Sequence, residues 1–461
     1  MKYFNNLCLI ILIQAISLNS FAQLRNLNST QKLFLDNELN GISTSLDRIG
    51  TSISVDGNIA AIAAPKSKGH GVVHLFEHNG IDWINKGFVE PSDGFFDDYF
   101  GGSISLHDNT LFVGAYHHNY LNKTGAVYVY EFINDTWVEI QKISSPNNVY
   151  ESHFGISVKQ ENGWLIIGAS GESKVYVYKK LNENWELHQT LEPSLIVFES
   201  FFGYGLEIKN DELFIGASAY SDQSENDSGI IYYYRLINDQ WQLQDSLLPS
   251  DLFNDNLFGI AISLQENRLL IGSPQAFSTV ISGTAYVFEY INEEWIEVQK
   301  VVPDDPKLDS WFGSSVYLDG DSAIVGAYRD SEIYSEAGAA YLFNLNESTW
   351  EQSEKMFSYN PTNNGRFGIS VFMGNNKMLT GGYREHGVDS VSGSVSSFIY
   401  SDNSWSTPNT LSFHKGAYDR RMGSSVHIFE NSAIVGTPYR YSTNQSAVLY
   451  YELQANQWIQ T

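Results

Sequence analysis

The sequence predicts an all-β protein, a β-propeller of four-stranded blades with eight blades, and seven blades is the alternative count. Three observations support this prediction. A unit of about fifty residues recurs eight times, with 48 to 56 residues between equivalent positions. Each unit contains the pattern of four short strands, and no helix is predicted between units. Tandem all-strand repeats of this period are typical of propellers.

Each unit opens with a glycine, usually after an aromatic residue, and closes with a tryptophan. The anchor glycines are Gly50, Gly101, Gly155, Gly203, Gly259, Gly313, Gly368 and Gly423. The closing tryptophans are Trp83, Trp137, Trp185, Trp241, Trp295, Trp350, Trp405 and Trp458, and only Trp164 and Trp311 lie outside this register. A large ring at one fixed place in each unit suits burial between neighbours. We therefore predict that each closing tryptophan covers the space between two blades.

Residues 99–142 show how a unit divides into strands. The predicted strands are 104–106, 111–115, 125–131 and 137–141. Their β-branched and aromatic residues alternate with polar ones, and Asn, Asp and Gly stand between them. Pairs that accept the positive φ of tight hairpin turns precede the second strand or the closing tryptophan of other units. These pairs are Gly57-Asn58, Asn162-Gly163, Asn210-Asp211, Gly320-Asp321, Asn375-Asn376, Asn182-Glu183, Asn238-Asp239, Asn292-Glu293 and Asn346-Glu347.

A small residue stands two positions after each anchor glycine. These residues are Ser52, Ser103, Ser157, Gly205, Ala261, Ser315, Ser370 and Ser425. Repeated small residues predict that the sheets crowd together near an axis. A catalytic serine needs a base and a group that orients the base. Equivalent serines without matched histidines therefore indicate packing.

The two ends of the chain have separate predictions. Residues 1–22 are predicted to be a secretory signal peptide, with Lys2, an apolar run over 7–18 and the small-x-small site Ser20-Phe21-Ala22. The apolar run is too short to cross a bilayer, so we expect no transmembrane segment after the signal is removed. Residues 47–461 form the predicted propeller. Residues 23–46 are an N-terminal segment and the candidate closing strand of the last blade, because Gln31-Lys32 matches Gln299-Lys300.

The composition excludes some functions. The chain has 53 acidic and 27 basic residues, a net charge of -26, and this field repels phosphate backbones. We therefore expect no nucleic-acid partner. Aromatic residues make up 14% of the chain, which indicates a folded core. The single cysteine, Cys8, lies in the predicted signal, so no disulfide is expected in the mature protein.

Three recurring elements resemble a known repeat. Phe-Gly-x-Ser, Ile-Val-Gly-Ala and Gly-Ala-x-Tyr-Val occur at 312–315, 324–327 and 125–129. They are similar to FG-GAP repeats, the units of the integrin α-subunit propeller, and most of all to the bacterial secreted branch. The resemblance implies an extracellular propeller used for binding or adhesion. Integrin propellers have seven blades, but the eight tryptophans favour eight here.

The resemblance does not extend to the calcium loops of the integrin repeats. Those loops, with an Asp-x-Asp-x-Asp-Gly-like sequence, lie between the first two strands, where this chain has bare turns such as 106–110 and 318–322. Calcium takes six to eight oxygen ligands, which a turn this short does not supply. We therefore expect no bound cofactor or metal.

Candidate ligand-binding residues lie in the long loops that join the second strand to the third and one blade to the next. Both kinds of loop open on one face of a propeller, where aromatic residues beside acids and amides suit sugars or peptides. The candidates are Tyr116, Tyr220, Trp311, Tyr328, Tyr383 and Tyr439. The alternative is that these are solvated loops in which the tyrosines pack locally.

Other clusters offer weaker chemistry. His70, His74 and His78 have a helical ligand spacing but lie on a predicted strand, and His117-His118 has no third ligand at a defined spacing. Two acidic pairs, Asp97-Asp98 and Asp304-Asp305, offer an acid and a base, but no spacing places them together. The sequence contains no phosphate-binding loop, zinc motif or nucleophile elbow. We therefore predict that the protein is not an enzyme.

The main hypothesis is a secreted or cell-surface monomer that binds an extracellular glycan or protein through the loop face. The first alternative is an extracellular polysaccharide lyase or hydrolase. A deep pocket on the loop face with a charged pair from different blades would favour this enzyme, whereas an even, shallow rim would favour binding. The second alternative is a structural component of the cell surface.

Overall fold

The computed structural model describes sixteen segments of the chain. They are residues 52–78, 83–119, 121–193, 201–218, 229–251, 257–274, 282–359, 361–374, 376–382, 394–401, 404–406, 409–411, 426–429, 432–437, 447–454 and 457–460. Within these segments the strands form eight antiparallel sheets, one for each sequence repeat. Consecutive strands are neighbours, except that the last two short strands of the seventh sheet both pair with its third strand. The all-β propeller with eight blades is thus confirmed for the described part of the chain: seven sheets have four strands, and the seventh along the chain has five because its outer strand is divided.

The first four blades are regular. Blade 1 contains β1 (Ile53–Asp56), β2 (Ile59–Ala64), β3 (Val72–His78) and β4 (Trp83–Val89). Blade 2 contains β5 (Phe100–His107), β6 (Thr110–Ala115), β7 (Ala126–Ile133) and β8 (Thr136–Ser144). Blade 3 contains β9 (Phe154–Glu161), β10 (Trp164–Ala169), the 3-10 turn Ser170–Glu172, β11 (Lys174–Leu181) and β12 (Asn184–Leu191). Blade 4 contains β13 (Gly205–Lys209), β14 (Glu212–Ala217), β15 (Ile230–Ile237) and β16 (Gln240–Leu247).

The last four blades repeat this order, with a divided outer strand in blade 7. Blade 5 contains β17 (Ala261–Gln265), β18 (Arg268–Ser273), β19 (Thr284–Ile291) and β20 (Glu294–Val301). Blade 6 contains β21 (Phe312–Asp319), β22 (Ser322–Ala327), β23 (Ala339–Asn346) and β24 (Thr349–Met356). Blade 7 contains β25 (Phe367–Gly374), β26 (Lys377–Gly382), β27 (Ser394–Ser401), β28 (Ser404–Trp405) and β29 (Asn409–Leu411). Blade 8 contains β30 (Val426–Phe429), β31 (Ser432–Thr437), β32 (Ala447–Gln454) and β33 (Gln457–Gln460).

The four strands predicted within 99–142 are all present and are longer than predicted. The first begins at Phe100, because Phe100 pairs with Ala115 across a bulge, and the first hairpin extends to the pair His107 and Thr110. The turn residues have the expected backbone conformation. Positive φ occurs at Asn162 (50°), Gly163 (79°), Asn238 (50°) and Asp239 (64°), for example.

The repeated phenylalanine and glycine form one contact between blades. Gly338, just before β23 of blade 6, forms a parallel bridge with Phe367 at the start of blade 7. A Cβ at Gly338 would lie 2.1 Å from the Phe367 carbonyl oxygen, so no other residue fits here without movement. The phenylalanine rings are buried and meet tyrosines of their own blades edge-on, as Phe312 meets Tyr341 at 5.2 Å. The two halves of the repeat signature therefore join successive blades.

The repeated serines join the first strands around the ring. Ser103 donates a hydrogen bond to the Gly155 carbonyl of the next blade at 2.8 Å, and Ser315 does the same to Gly368 at 2.8 Å. The serine two residues further along the first strand acts as an acceptor instead. Ser54 of blade 1 accepts the Leu106 N–H of blade 2 at 3.0 Å. These contacts confirm that small residues allow the sheets to crowd together. They also occupy the hydroxyl groups in structural bonds.

As predicted, the closing tryptophans of blades 3 to 6 fill the outer gaps between neighbouring blades. Four of them are at most 5% exposed: Trp185, Trp241, Trp295 and Trp350. Trp137 and Trp405 are half-buried, and the side chains of Trp83 and Trp458 lie outside the described part of the structure. Trp164, which lies outside the repeat register, packs edge-on against Trp241 with ring centroids 5.9 Å apart. It is therefore a packing residue.

A glutamine side chain adds a second link between outer strands. Gln299 donates to the Trp350 carbonyl at 2.7 Å and accepts the Trp350 N–H at 2.6 Å. Gln141 and Gln189 make the same pair of bonds to Trp185 and Trp241. An amide thus satisfies backbone groups at an otherwise open sheet edge.

We expect Gln299→Leu to lower the free energy of unfolding by about 1–3 kcal/mol, because it leaves two backbone groups of Trp350 without partners. Chemical denaturation measures this change. The matched control is Gln244→Leu, since Gln244 bonds only within its own exposed strand. Equal denaturation midpoints for the two variants would show that the bonds between Gln299 and Trp350 do not stabilise the fold.

The ring closes between blades 8 and 1. Ile434 of blade 8 packs in one buried cluster with Ile62, Val72 and Phe76 of blade 1. In blade 8, β33 pairs with residues 451–454 of β32. The predicted signal peptide at 1–22 and the predicted closing segment at 23–46 lie outside the described residues and stay predictions. Among the residues described, no helix is long and apolar enough to span a membrane.

Candidate functional site

A ring of six side chains surrounds the loop-side end of the central channel. Each stands two residues before an anchor glycine, where the first strand of its blade begins, and we call this set the mouth ring. Its members are Tyr99, His153, Phe201, Leu257, Trp311 and Arg366. All six have positive φ, between 53° and 59°. Non-glycine residues seldom adopt this conformation, and such strain concentrates at functional sites.

A recurring turn holds the mouth ring in this conformation. The carbonyl of Tyr99 accepts the N–H of Gly102 at 2.8 Å, and the carbonyl of Trp311 accepts that of Ser314 at 3.2 Å. The phenylalanine after each ring residue is buried. The ring residue itself is exposed in blade 4, where Phe201 is 46% exposed, and half-buried in the other five blades. The backbone of this position is therefore repeated around the ring, whereas its side chain differs in every described blade.

In blade 2 the mouth-ring residue belongs to an aromatic cluster. The Tyr99 ring lies 5.2 Å from the ring of Tyr116 and 4.7 Å from that of His117. His153 of blade 3 lies 5.7 Å from His117, between centroids. Lys66 of blade 1 lies over the Tyr99 ring at 3.6 Å and pairs with Asp97. Burial, followed by the positive charge of Lys123, lowers the pKa of His117 to about 4, so the imidazole is neutral at pH 7.

In blade 6 the same positions carry a charged aromatic cluster. The Trp311 and Tyr328 rings lie 5.2 Å apart, and Trp311 donates its indole N–H to Asp309 at 3.1 Å. Arg329 pairs with Asp309 and with Glu336, each at 2.9 Å. The next mouth-ring residue, Arg366, lies 5.4 Å from the Tyr328 ring centre and also pairs with Glu336 at 3.0 Å. Two guanidinium groups and two aromatic rings are thus held in place by carboxylates.

The two clusters lie on opposite sides of the channel, because blades 2 and 6 are four blades apart in a ring of eight. They share one arrangement. Each has an acid two residues before the mouth-ring aromatic, and a tyrosine directly after the second strand. Tyr116 also lies against the channel wall, since a Cβ at Gly102 would approach its ring to 2.4 Å. The face therefore presents two opposed aromatic platforms.

Three of the six residues predicted for the site lie in these clusters: Tyr116, Trp311 and Tyr328. The other three, Tyr220, Tyr383 and Tyr439, lie outside the described residues and stay predictions. Sequence reasoning missed Tyr99, His153 and Arg366. A signal for them exists, because the residue two positions before the anchor glycine varies among the units, although arginine occurs there three times, at Arg48, Arg366 and Arg421.

The channel below the mouth ring has a volume of about 530 Å³ and is lined by the first strands of seven blades. Its charged groups among the lining residues are Lys159 of blade 3 and Glu207 of blade 4, which form an ion pair at 2.9 Å. At the equivalent position of the first strand, the other blades carry either a serine that accepts a backbone N–H from the next blade, or an aromatic ring. The rings of Tyr317, Phe372 and His427 pack in succession at tilted angles, with centroids 4.6 Å and 5.0 Å apart.

The weaker candidates of the sequence have structural partners. Asp98 is buried and bonds to His118 Nδ1 at 2.8 Å, while Asp305 bonds to Lys355 at 2.6 Å. His118 therefore points away from the ring contacts of His117. His74 is buried, and that burial lowers its pKa to about 4. Among the described residues no group of three His, Cys, Asp or Glu side chains is arranged to hold a metal.

Comparison with known proteins identifies the repeat. The FG-GAP repeat family matches residues 83–130 and 295–343, which span the outer strand of blades 1 and 5 and three strands of blades 2 and 6. Among curated proteins none matches this chain. A solved protein from Lactobacillus plantarum shares 10% identity over 79% of this chain and 96% of its own, with a TM-score of 0.48. A putative 6-phosphogluconolactonase from Bacteroides fragilis shares 10% identity over 81% of this chain and 96% of its own, with a TM-score of 0.49. Two segments of the chain, 83–130 and 295–343, are therefore similar to the FG-GAP repeat, and the described strands form an all-β propeller.

Proposed function

We propose that this protein is an extracellular, non-catalytic binding protein that recognises a glycan chain through the mouth ring and the two aromatic clusters. The observation that carries the proposal is the mouth ring itself. Six strained, repeated backbone positions present six different side chains at one end of the channel. Strain that recurs without a shared side chain serves to position variable groups.

The chemistry of the clusters suits a glycan. Aromatic faces such as Trp311 and Tyr99 pack against the C–H faces of sugar rings, and Arg329, Arg366 and Glu336 offer donors and acceptors to hydroxyl or acidic groups. The rings are already held by neighbours, so little side-chain entropy is lost on binding. Opposed clusters in blades 2 and 6 suit an extended chain that crosses the mouth. In this proposal the protein is secreted or displayed at the cell surface and acts as a monomer.

A second candidate is a polysaccharide-degrading enzyme, favoured by one observation. The channel holds a charged pair from different blades, Lys159 and Glu207. Hydrolysis of a glycosidic bond ordinarily uses two carboxyl groups. Glu207 is the one carboxylate among the described lining residues, and it is already paired with Lys159. Binding is therefore the better-supported function.

We expect the mature protein to bind members of a glycan array, and Trp311→Ala to weaken that binding about thirtyfold, the loss of about 2 kcal/mol typical of a central aromatic contact. Titration calorimetry measures the affinity. The control is Tyr359→Ala, which removes a 63% exposed aromatic outside both clusters.

Several outcomes contradict the proposal. One is glycan binding that Trp311→Ala and Tyr99→Ala leave unchanged. Another is binding only to a protein ligand, which would replace the glycan with a peptide. Release of sugar products that stops in Glu207→Gln would establish the enzyme instead.

A further inference from the structure

A cavity opens between blades 6 and 7 on the face opposite the mouth ring. Its volume is about 300 Å³, and its walls include the aromatic pair Tyr400 and Trp405 and the polar side chains of Asp319, Ser322, Asn344 and Asn376. It lies at the hairpin turns that join the first strand to the second. It is therefore separate from the mouth ring and independent of the function proposed above.

The cavity exists because two long side chains are replaced by short ones. The first residue of each second strand pairs across the sheet with a residue of the third strand. In blade 5 this pair is Arg268 and Glu289, joined at 3.0 Å. The Arg268 guanidinium lies over Trp350 of blade 6 at 5.9 Å. The pair fills the gap between blades 5 and 6.

In the gap between blades 3 and 4, blade 3 contributes a different pair. Trp164 pairs with Lys179, whose ammonium lies over the Trp164 ring at 4.9 Å, and Trp164 packs on Trp241. In blade 6 the same pair is Ser322 and Asn344, hydrogen-bonded to each other at 2.9 Å. Neither side chain reaches the tryptophan of the next blade.

The tryptophans beside these three pairs differ in exposure. Trp241 is 1% exposed and Trp350 is 3% exposed, whereas Trp405 is half-buried and borders the cavity. The cavity is thus an open part of the gap between blades 6 and 7, with an aromatic wall and a polar rim. A volume of this size suits one ring-sized ligand.

We propose that this cavity binds a single sugar residue. The Tyr400 and Trp405 rings lie 5.2 Å apart at an angle of 53° and form an apolar wall for the C–H face of a sugar. Ser322, Asn344 and Asn376 supply donors and acceptors for hydroxyl groups, and Asp319 supplies a carboxylate acceptor.

The number of neutral polar groups at the cavity favours a sugar over an organic cation. Asp321 also borders the cavity, but Arg268 binds its carboxylate at 2.8 Å and offsets its charge. Among the described lining residues, two amides and a hydroxyl then supply neutral donors and acceptors, more than the single remaining carboxylate, that of Asp319. An aromatic cage for a quaternary ammonium relies on rings and negative charge instead.

The test uses ligand-observed NMR on the mature protein with free glucose, galactose, mannose and N-acetylglucosamine, and with tetramethylammonium as the cationic probe. We expect at least one sugar to bind saturably. The double variant S322R/N344E installs the pair found in blade 5 and should weaken sugar binding at least tenfold without lowering the melting temperature. A short oligosaccharide of the bound sugar distinguishes a free ligand from a chain-terminal one, and binding in either form supports the proposal.

Two further variants complete the test. Asn376→Gly keeps the positive φ of 59° available and removes one amide, so it should weaken binding even where the double variant fails to fold. Trp311→Ala serves as the background for all these measurements, so that sugar bound at the mouth ring does not contribute. The proposal is overturned by no sugar binding, by sugar binding that neither cavity variant weakens, or by tetramethylammonium displacing the sugar at equal concentration.

Discussion

Trp295→Ala is expected to lower the free energy of unfolding by about 3–5 kcal/mol, the cost of removing a large buried ring from a packed core. Trp295 is 5% exposed and closes the gap between blades 4 and 5. It meets Phe214 edge-on at 5.3 Å and Tyr290 at 5.4 Å. Thermal and chemical denaturation measure the loss.

The matched control for this change is Trp405→Ala, the same substitution in blade 7. Trp405 already borders a cavity, so part of its surface makes no packing contact, and we expect about half the cost. A melting temperature for Trp295→Ala equal to that of the unaltered protein would show that the closing tryptophans do not stabilise the fold. Equal losses of unfolding free energy for the two variants would contradict the interpretation that Trp405 borders an open gap between blades.

The second large effect is expected for Gly313→Ala, which should cost about 2–4 kcal/mol. Gly313 has φ of 94°, and a Cβ would lie 2.2 Å from the Thr284 carbonyl oxygen of blade 5. The substitution therefore strains the backbone and separates two blades at once. Its readout is the denaturation midpoint.

Gly163→Ala isolates the backbone part of that cost. Gly163 has φ of 79° in a hairpin turn, and a Cβ there would meet no atom within 4 Å. We expect a loss of about 1 kcal/mol for this variant. Losses of the same size for Gly163→Ala and Gly313→Ala would show that close approach between blades is not what selects glycine at the anchor.

The sequence allowed the repeated part of the fold to be predicted, because each of its rules acts within a few residues. Alternation gave the four strands of residues 99–142, and turn residues such as Asn238 gave the hairpins. The eightfold period gave the number of sheets. The tryptophan register gave inter-blade burial for residues such as Trp295, although it did not show that Trp405 borders a cavity.

Contacts between blades join residues about fifty positions apart, and the sequence alone does not pair them. The clasp from Gln299 to Trp350 and the ion pair of Lys159 with Glu207 are of this kind. The site was predicted only in part for the same reason. Trp311 and Tyr328 stand out as aromatic residues in loops, whereas Tyr99 and Arg366 gain their role from a backbone turn and from neighbours in other blades.

In the proposed function, the repeated positions hold the ring together and the mouth ring binds the ligand. Hydrogen–deuterium exchange with the tightest glycan from the array tests it most directly. The experiment is run in the S322R/N344E background, so that the cavity between blades 6 and 7 does not contribute. We predict slower exchange in the peptides that contain Tyr99, Trp311 and Arg366. Slower exchange confined to the hairpin turns or outer strands, with these peptides unchanged, would contradict the account.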